Sequence, residues 1–222
     1  MNQFVKVAAL AASVALAGAT SAAALTYNFT NVTNNNATNA AAGAAQLSVD
    51  VTDAGAGKVA FTFNNAGPLA SSITDIYWDD QSGSLGTRGA ITASTGVSYS
   101  WGASPGNLPG GNTIGFSVSP RGAAADSDTP IQPMGVNPGE WVKLIWSLAS
   151  GKTYADVLAA LNFGGDRAGS MRIGIHVQGF SNGGSESFVN STPPAPVPVP
   201  AAGLLLAAGL GAMGVMRRRR KA

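Results

Sequence analysis

Hydrophobic residues in this chain recur at every second position, in short bursts broken by Gly, Pro, Asn and Ser. Leu47, Val49 and Val51 alternate with Ser48, Asp50 and Thr52, and Val59, Phe61 and Phe63 with Ala60 and Thr62. Val142, Leu144, Trp146 and Leu148 share one face of residues 140–148, and Ile173, Ile175 and Val177 one face of residues 171–180. A period of two puts alternate side chains on opposite faces of a strand, so each run has one face to bury. Runs at 26–32, 73–78, 91–100 and 114–119 bring the expected strands to about eight. Short strands between turn residues predict an all-β fold, an antiparallel, jelly-roll-like β-sandwich rather than βαβ units. Val59, Phe61, Phe63, Val142, Leu144, Trp146, Ile173, Ile175 and Val177 should then meet in one core.

One segment breaks the period. Thr153-Tyr154-Ala155-Asp156 has the form of a capping box, Val157, Leu158 and Leu161 make an apolar stripe, and Gly164-Gly165 end it. This predicts one short helix against the sandwich. The polar stretch TYNFTNVTNNNATN is read as a first strand followed by a loop.

The two ends follow other rules. Residues 1–24 carry Lys6, an apolar stretch from Val7 to Ala17 and small residues ending Ala22-Ala23-Ala24. That is the pattern of a signal peptide, with cleavage expected after Ala24. At the far end, Pro193, Pro194, Pro196, Pro198 and Pro200 lie in a spacer over 191–200 that is short of backbone donors. Residues 201–216 are uncharged, and Arg217, Arg218, Arg219, Arg220 and Lys221 follow within the terminal segment 217–222. An apolar run abutting five cations reads as a short transmembrane helix with a cytoplasmic stop. Between the ends lies a single expected domain, residues 25–190.

The trio of Val197-Pro198-Val199-Pro200-Ala201, apolar helix and arginine cluster resembles the C-terminal sorting signal of the PEP-CTERM class, in its VPLPA-type variant with Val199 where Leu is usual. The resemblance implies a Gram-negative bacterium, transit through the inner membrane, and processing by an exosortase after signal peptidase has removed the leader. It also implies release to the cell surface or the extracellular space. A second resemblance spans about residues 137–189. NPGEWVKLIWSLASGKTYADVLAALNFGG followed by RIGIHVQGFSNGGSESF is similar to the mature domain of many such exported proteins. It implies a β-sandwich and carries no catalytic residues over.

Composition narrows the function further. Lys6 and the five tail cations account for six of the 13 basic residues, leaving seven against all 11 acidic ones, a net charge of −4 for the central domain. Such a balance argues against nucleic acid as a partner, since phosphate binding needs a basic face. With no cysteine, disulfides, thiol catalysis and Cys metal sites are excluded.

Several motifs invite chemistry and were weighed against plainer roles. Ser150-Gly151-Lys152-Thr153 ends like a P-loop, but Trp146 occupies the position of its first glycine, so Gly151 is assigned to a turn and Thr153 to the cap. The G-x-G-x-x-G from Gly209 to Gly214 lacks a following acidic residue and belongs to the apolar tail. His176, the single histidine, points away from Ile175 and Val177 with Arg172, Gly174 and Gln178, and is expected to be a hydrogen-bonded sheet residue. Asp79-Asp80 and Asp126-Ser127-Asp128 offer oxygens of the kind calcium takes but lack the remaining EF-hand ligands. Among Trp78, Trp101, Trp141 and Trp146, Trp141 and Trp101 are the ones expected to be exposed to a ligand such as a sugar.

The expectation is therefore a non-enzymatic exported protein of structural or adhesive role, at the surface or in an exopolysaccharide matrix. It has no cofactor and no metal, and exopolysaccharide is a partner open to it. The alternatives are a secreted hydrolase using His176, a glycan-binding module, and a periplasmic domain permanently anchored by its tail.

Overall fold

The computed structural model describes residues 24–191. The expected signal helix and transmembrane helix lie outside them. Within the described residues the chain forms ten antiparallel strands: β1 (Leu25–Asn31), β2 (Leu47–Gly55), β3 (Lys58–Asn65), β4 (Ser72–Asp80), β5 (Leu85–Ala93), β6 (Tyr99–Trp101), β7 (Ala124–Ser127), β8 (Trp141–Leu148), β9 (Met171–Gln178) and β10 (Glu186–Asn190). They join in one sheet, in the order β5-β8-β3-β2-β1-β10-β9-β4-β7-β6. β1 links its two halves by changing partner midway. Leu25–Asn28 pair with β2, and Phe29–Asn31 pair with β10.

The sheet nearly closes on itself. At its two terminal strands, the Trp101 indole N–H donates to the Gly89 carbonyl at 2.9 Å, and the Arg88 guanidinium lies 5.8 Å from the Trp101 ring centre. All nine residues expected in the core fall in one buried cluster, none more than 1% exposed. Trp78 stands at its centre, with ring centres of Phe61, Phe63, Trp101 and Trp146 5.4 to 6.0 Å away.

Among the described residues three α-helices are present, where one short helix was expected in the domain. α3 (Tyr154–Phe163) is the foreseen one, and Thr153 and Asp156 make both bonds of its capping box. α1 (Ala37–Gln46) replaces the expected loop: Asn36 accepts from the backbone of Thr38 and Asn39, so the Asn-rich run caps a helix. The short α2 (Ile131–Met134) packs on β4.

Two expected strands differ. Residues 91–100 hold the end of β5, a turn and the start of β6. In 114–119, Gly115 turns with φ +63° and the segment is a covering loop, joined to β4 by a bridge between Asp79 and Ser119. This loop lies over the outer face of β4, β7 and β9, where Leu108 and Phe116 pack with Tyr77 and Ala124. Gly174 makes that approach feasible, because a Cβ there would stand 2.9 Å from a Leu108 methyl and 3.0 Å from the Phe116 ring.

Candidate functional site

The covering loop gives β9 a buried polar outer face. The antiparallel register sets Arg172 opposite Asp79, Gly174 opposite Tyr77 and His176 opposite Asp75, and a bulge at Thr74 brings Asp75 into this register. Across the next boundary Asp75 faces Asp126 on β7, and on the other side Ser187 of β10 faces His176. Ser187, His176, Asp75 and Asp126 therefore form one row across four strands.

His176 is fixed within the row. Its Nδ1 lies 3.1 Å from Asp75 Oδ2, and its side chain is 13% exposed. Asp75 also accepts from the Thr74 hydroxyl at 2.8 Å and the Tyr77 hydroxyl at 3.2 Å. Burial, with Asp75 nearby, pushes the Tyr77 phenol well above its ordinary range. The Asp126 carboxyl is also held above its ordinary value, first by burial and then by the like charge of Asp75. Ser187 is fully buried, and its Oγ has no hydrogen-bond partner.

One strand register away, the Arg172 guanidinium reaches Asp79 Oδ2 through Nε (3.1 Å) and Nη2, and donates at 2.7 Å to the carbonyls of Ile114 and Gly115. It ties the covering loop to β9. The arrangement fixes the His176 ring against Asp75 and the covering loop against β9. The Ser187 hydroxyl is enclosed.

The remaining expected residues separate. Asp79 and Asp80 are the buried end of β4, and Asp80 accepts from Ser82 and from the Leu85 backbone in a turn. Asp128 is held low by the hydroxyls of Ser98 and Ser100. Among the described residues no group of three or more His, Asp or Glu is placed to hold a metal ion. Lys152 donates to the Ser82 carbonyl at 3.1 Å, and Gly151 has φ +76°, as a turn requires. Trp101 is largely drawn into the core, 5.0 Å from Trp146, while Trp141 sits on the outer face with Lys143 Nζ 5.7 Å from its ring centre. The two candidate exposed tryptophans thus form no common platform. Ala24 is exposed and directly precedes β1. The sorting residues Val197, Pro198, Val199, Pro200 and Ala201 and the stop residues Arg217, Arg218, Arg219, Arg220 and Lys221 lie outside the described residues.

Sequence reasoning placed His176 on the outer face but did not find Asp75, Tyr77 or Ser187 beside it. Their only signal is cross-strand register, which the Thr74 bulge displaces. Compared with known proteins, the chain matches no family model, no curated protein and no solved structure.

Proposed function

We propose that this chain is an exported, non-catalytic protein of the cell surface or exopolysaccharide matrix, with a structural or adhesive role. Its two half-sheets are packed as a sandwich body that a C-terminal signal delivers. The observation that carries this reading is the pairing of the first and last strands. Phe29 stands opposite Asn190, and the Ser191 backbone N–H donates to the Asn28 carbonyl at 2.8 Å. Leu25 is three residues further on, about 10 Å at strand rise, so leader and tail attach at one end of the domain. Cleavage after Ala24 removes no strand residue. Proline has no backbone N–H to give to a strand ladder, so the residues from Pro193 onward are poor candidates to prolong the pairing with β1. A non-catalytic role fits the closed polar face, where His176 is held by Asp75 and Ser187 is sealed in.

The test is fractionation of cells expressing the wild-type chain and a Pro198→Ala/Pro200→Ala variant, with mass spectrometry of the mature C-terminus. The wild-type domain is expected outside the cell without Arg217 to Lys221, and the variant in the inner membrane with them. An intact basic cluster on the wild-type protein would make the tail a permanent anchor and overturn the sorting step.

A further inference from the structure

Where the two ends of the sheet approach each other, between β5 and the turn Pro120-Arg121-Gly122, the surface opens into a cleft of about 430 Å³. It is lined by Gly86, Thr87, Arg88, Arg121, Gly122 and Trp146, together with Pro120. This volume falls within the range of small-molecule sites, which begins at about 300 Å³.

The charge of the cleft runs against that of the domain. The domain between the two ends carries −4, yet the lining holds two of its seven cations and no carboxylate. Arg88 and Arg121 are both exposed, and among the described residues neither forms an ion pair. Arg88 is nevertheless oriented. It donates to the Gly122 carbonyl at 3.3 Å and lies over the Trp101 ring, which narrows the positions of its fork. By contrast Arg172, which lines another open cleft, is already neutralised by Asp79.

The rest of the lining has two characters. Gly86 and Gly122 add no side chain to it, and Pro120 adds a ring without a hydrogen-bonding group. Trp146 lies beneath, 1% exposed, with its indole nitrogen sealed from the surface. The exposed Thr87 stands in the lining beside Arg88 and adds a hydroxyl, a hydrogen-bonding group suited to a ligand rich in hydroxyls.

We infer that this seam binds a carboxylated saccharide, a hexuronate unit of an acidic polysaccharide. Its carboxylate is held by Arg88 and Arg121, which line the same cleft, and its hydroxyls meet the Thr87 side chain. A guanidinium matches a planar carboxylate in geometry as well as charge. Because the whole domain is anionic, binding depends on these two side chains and not on a broad attractive field. The inference is independent of how the tail is processed.

The full-length chain, purified in a non-ionic detergent, is titrated calorimetrically with a galacturonate trimer and in parallel with a neutral galactose trimer. The uronate is expected to bind at least tenfold more tightly than the neutral sugar. Arg88→Ala and Arg121→Ala should each weaken it about ten- to a hundredfold, the range of a lost charge-assisted contact. Arg88→Lys should recover part of the loss, and Lys58→Ala, away from the cleft lining, should change nothing. Both arginines are exposed, so the variants should keep the wild-type melting curve. Equal binding of the two trimers, no binding, or unchanged affinity in both arginine variants overturns the assignment. So does a poly-glutamate peptide or a short DNA duplex that binds as tightly with the same arginine dependence.

Discussion

Removing Asp79 should strip the domain of a large part of its stability. Its side chain is fully buried, and the Arg172 side chain it holds is 7% exposed. In Asp79→Ala the guanidinium keeps the Ile114 and Gly115 carbonyls but loses its only counter-charge, and the Ser117 N–H and the Gln81 amide lose an acceptor. Breaking a buried ion pair from one side costs about 3–5 kcal/mol. For a domain of this size about 1 kcal/mol moves the melting temperature by about 2–4 °C, so a fall of about 6–20 °C is expected. Urea denaturation followed by tryptophan fluorescence reads it directly, because Trp78 neighbours Asp79 on β4 and contacts Trp101 and Trp146. The double variant Asp79→Leu/Arg172→Met should recover most of the loss, since a hydrophobic pair of similar volume is often neutral or better. The carbonyls it frees belong to the half-buried Ile114 and the exposed Gly115, where water can reach them. A loss below about 1 kcal/mol in Asp79→Ala, with an unchanged denaturant slope, would refute the reasoning, because Arg172 would then be solvated well enough to stand alone.

Three further outcomes are expected. Gly43→Val places a Cβ 2.1 Å from the Phe188 ring, so α1 or a fully buried ring must move; overpacking of this kind costs about 1–3 kcal/mol. Gly106→Ala, with open space around it, should be silent in the same urea titration. At Glu186, burial pushes the carboxyl up, but hydrogen bonds from Thr33, Asn31 and the backbone of Asn36 and Asn35 outweigh it and hold it below its ordinary 4.5. A carboxyl lowered on folding contributes fully above that ordinary value and loses its contribution as pH falls through the folded one. Melting temperature should therefore drop below about pH 4.5 in the wild type, and Glu186→Gln should flatten that acid limb while lowering stability at neutral pH. An acid limb of unchanged steepness in the variant would assign the effect to another carboxylate.

The central strands were legible because large apolar side chains line one face of each and small or polar ones the other. Val49, Phe61, Leu144 and Ile175 all sit in clean alternations, and α3 carries its caps in sequence order. The strands that escaped notice lack that contrast. β5 contains Gly86 and Gly89 and pairs with β8 through two register shifts, and β7 is four small or polar residues enclosed on both faces. The run 114–119 misled for the opposite reason: Ile114, Phe116 and Val118 alternate, but Gly115 turns the chain and Phe116 buries itself on another strand's outer face. The orientation of His176 followed from its neighbours in sequence. Its partner Asp75 lies 101 residues away, and nothing local encodes that distance or the bulge that sets it. Arg88 and Arg121 likewise line one cleft only because the sheet bends round until its ends are close.

The pairing of β1 with β10 also fixes an order of events in time. Among the described residues β10 is the last strand to be synthesised, yet it sits in the interior of the sheet, between β1 and β9. Until residue 190 is free, β1 holds β2 on one side and has nothing on the other. The two half-sheets then lack their only strand-to-strand junction. Contacts spanning about 160 residues of chain are slow to form, because loop closure must be met before they give any return. The domain cannot finish folding before residues 186–190 are free to pair. A chain cut before Glu186 should remain two unjoined halves with exposed edges, susceptible to protease and prone to aggregate. A tether that holds the C-terminus still while β10 inserts would shorten that vulnerable interval.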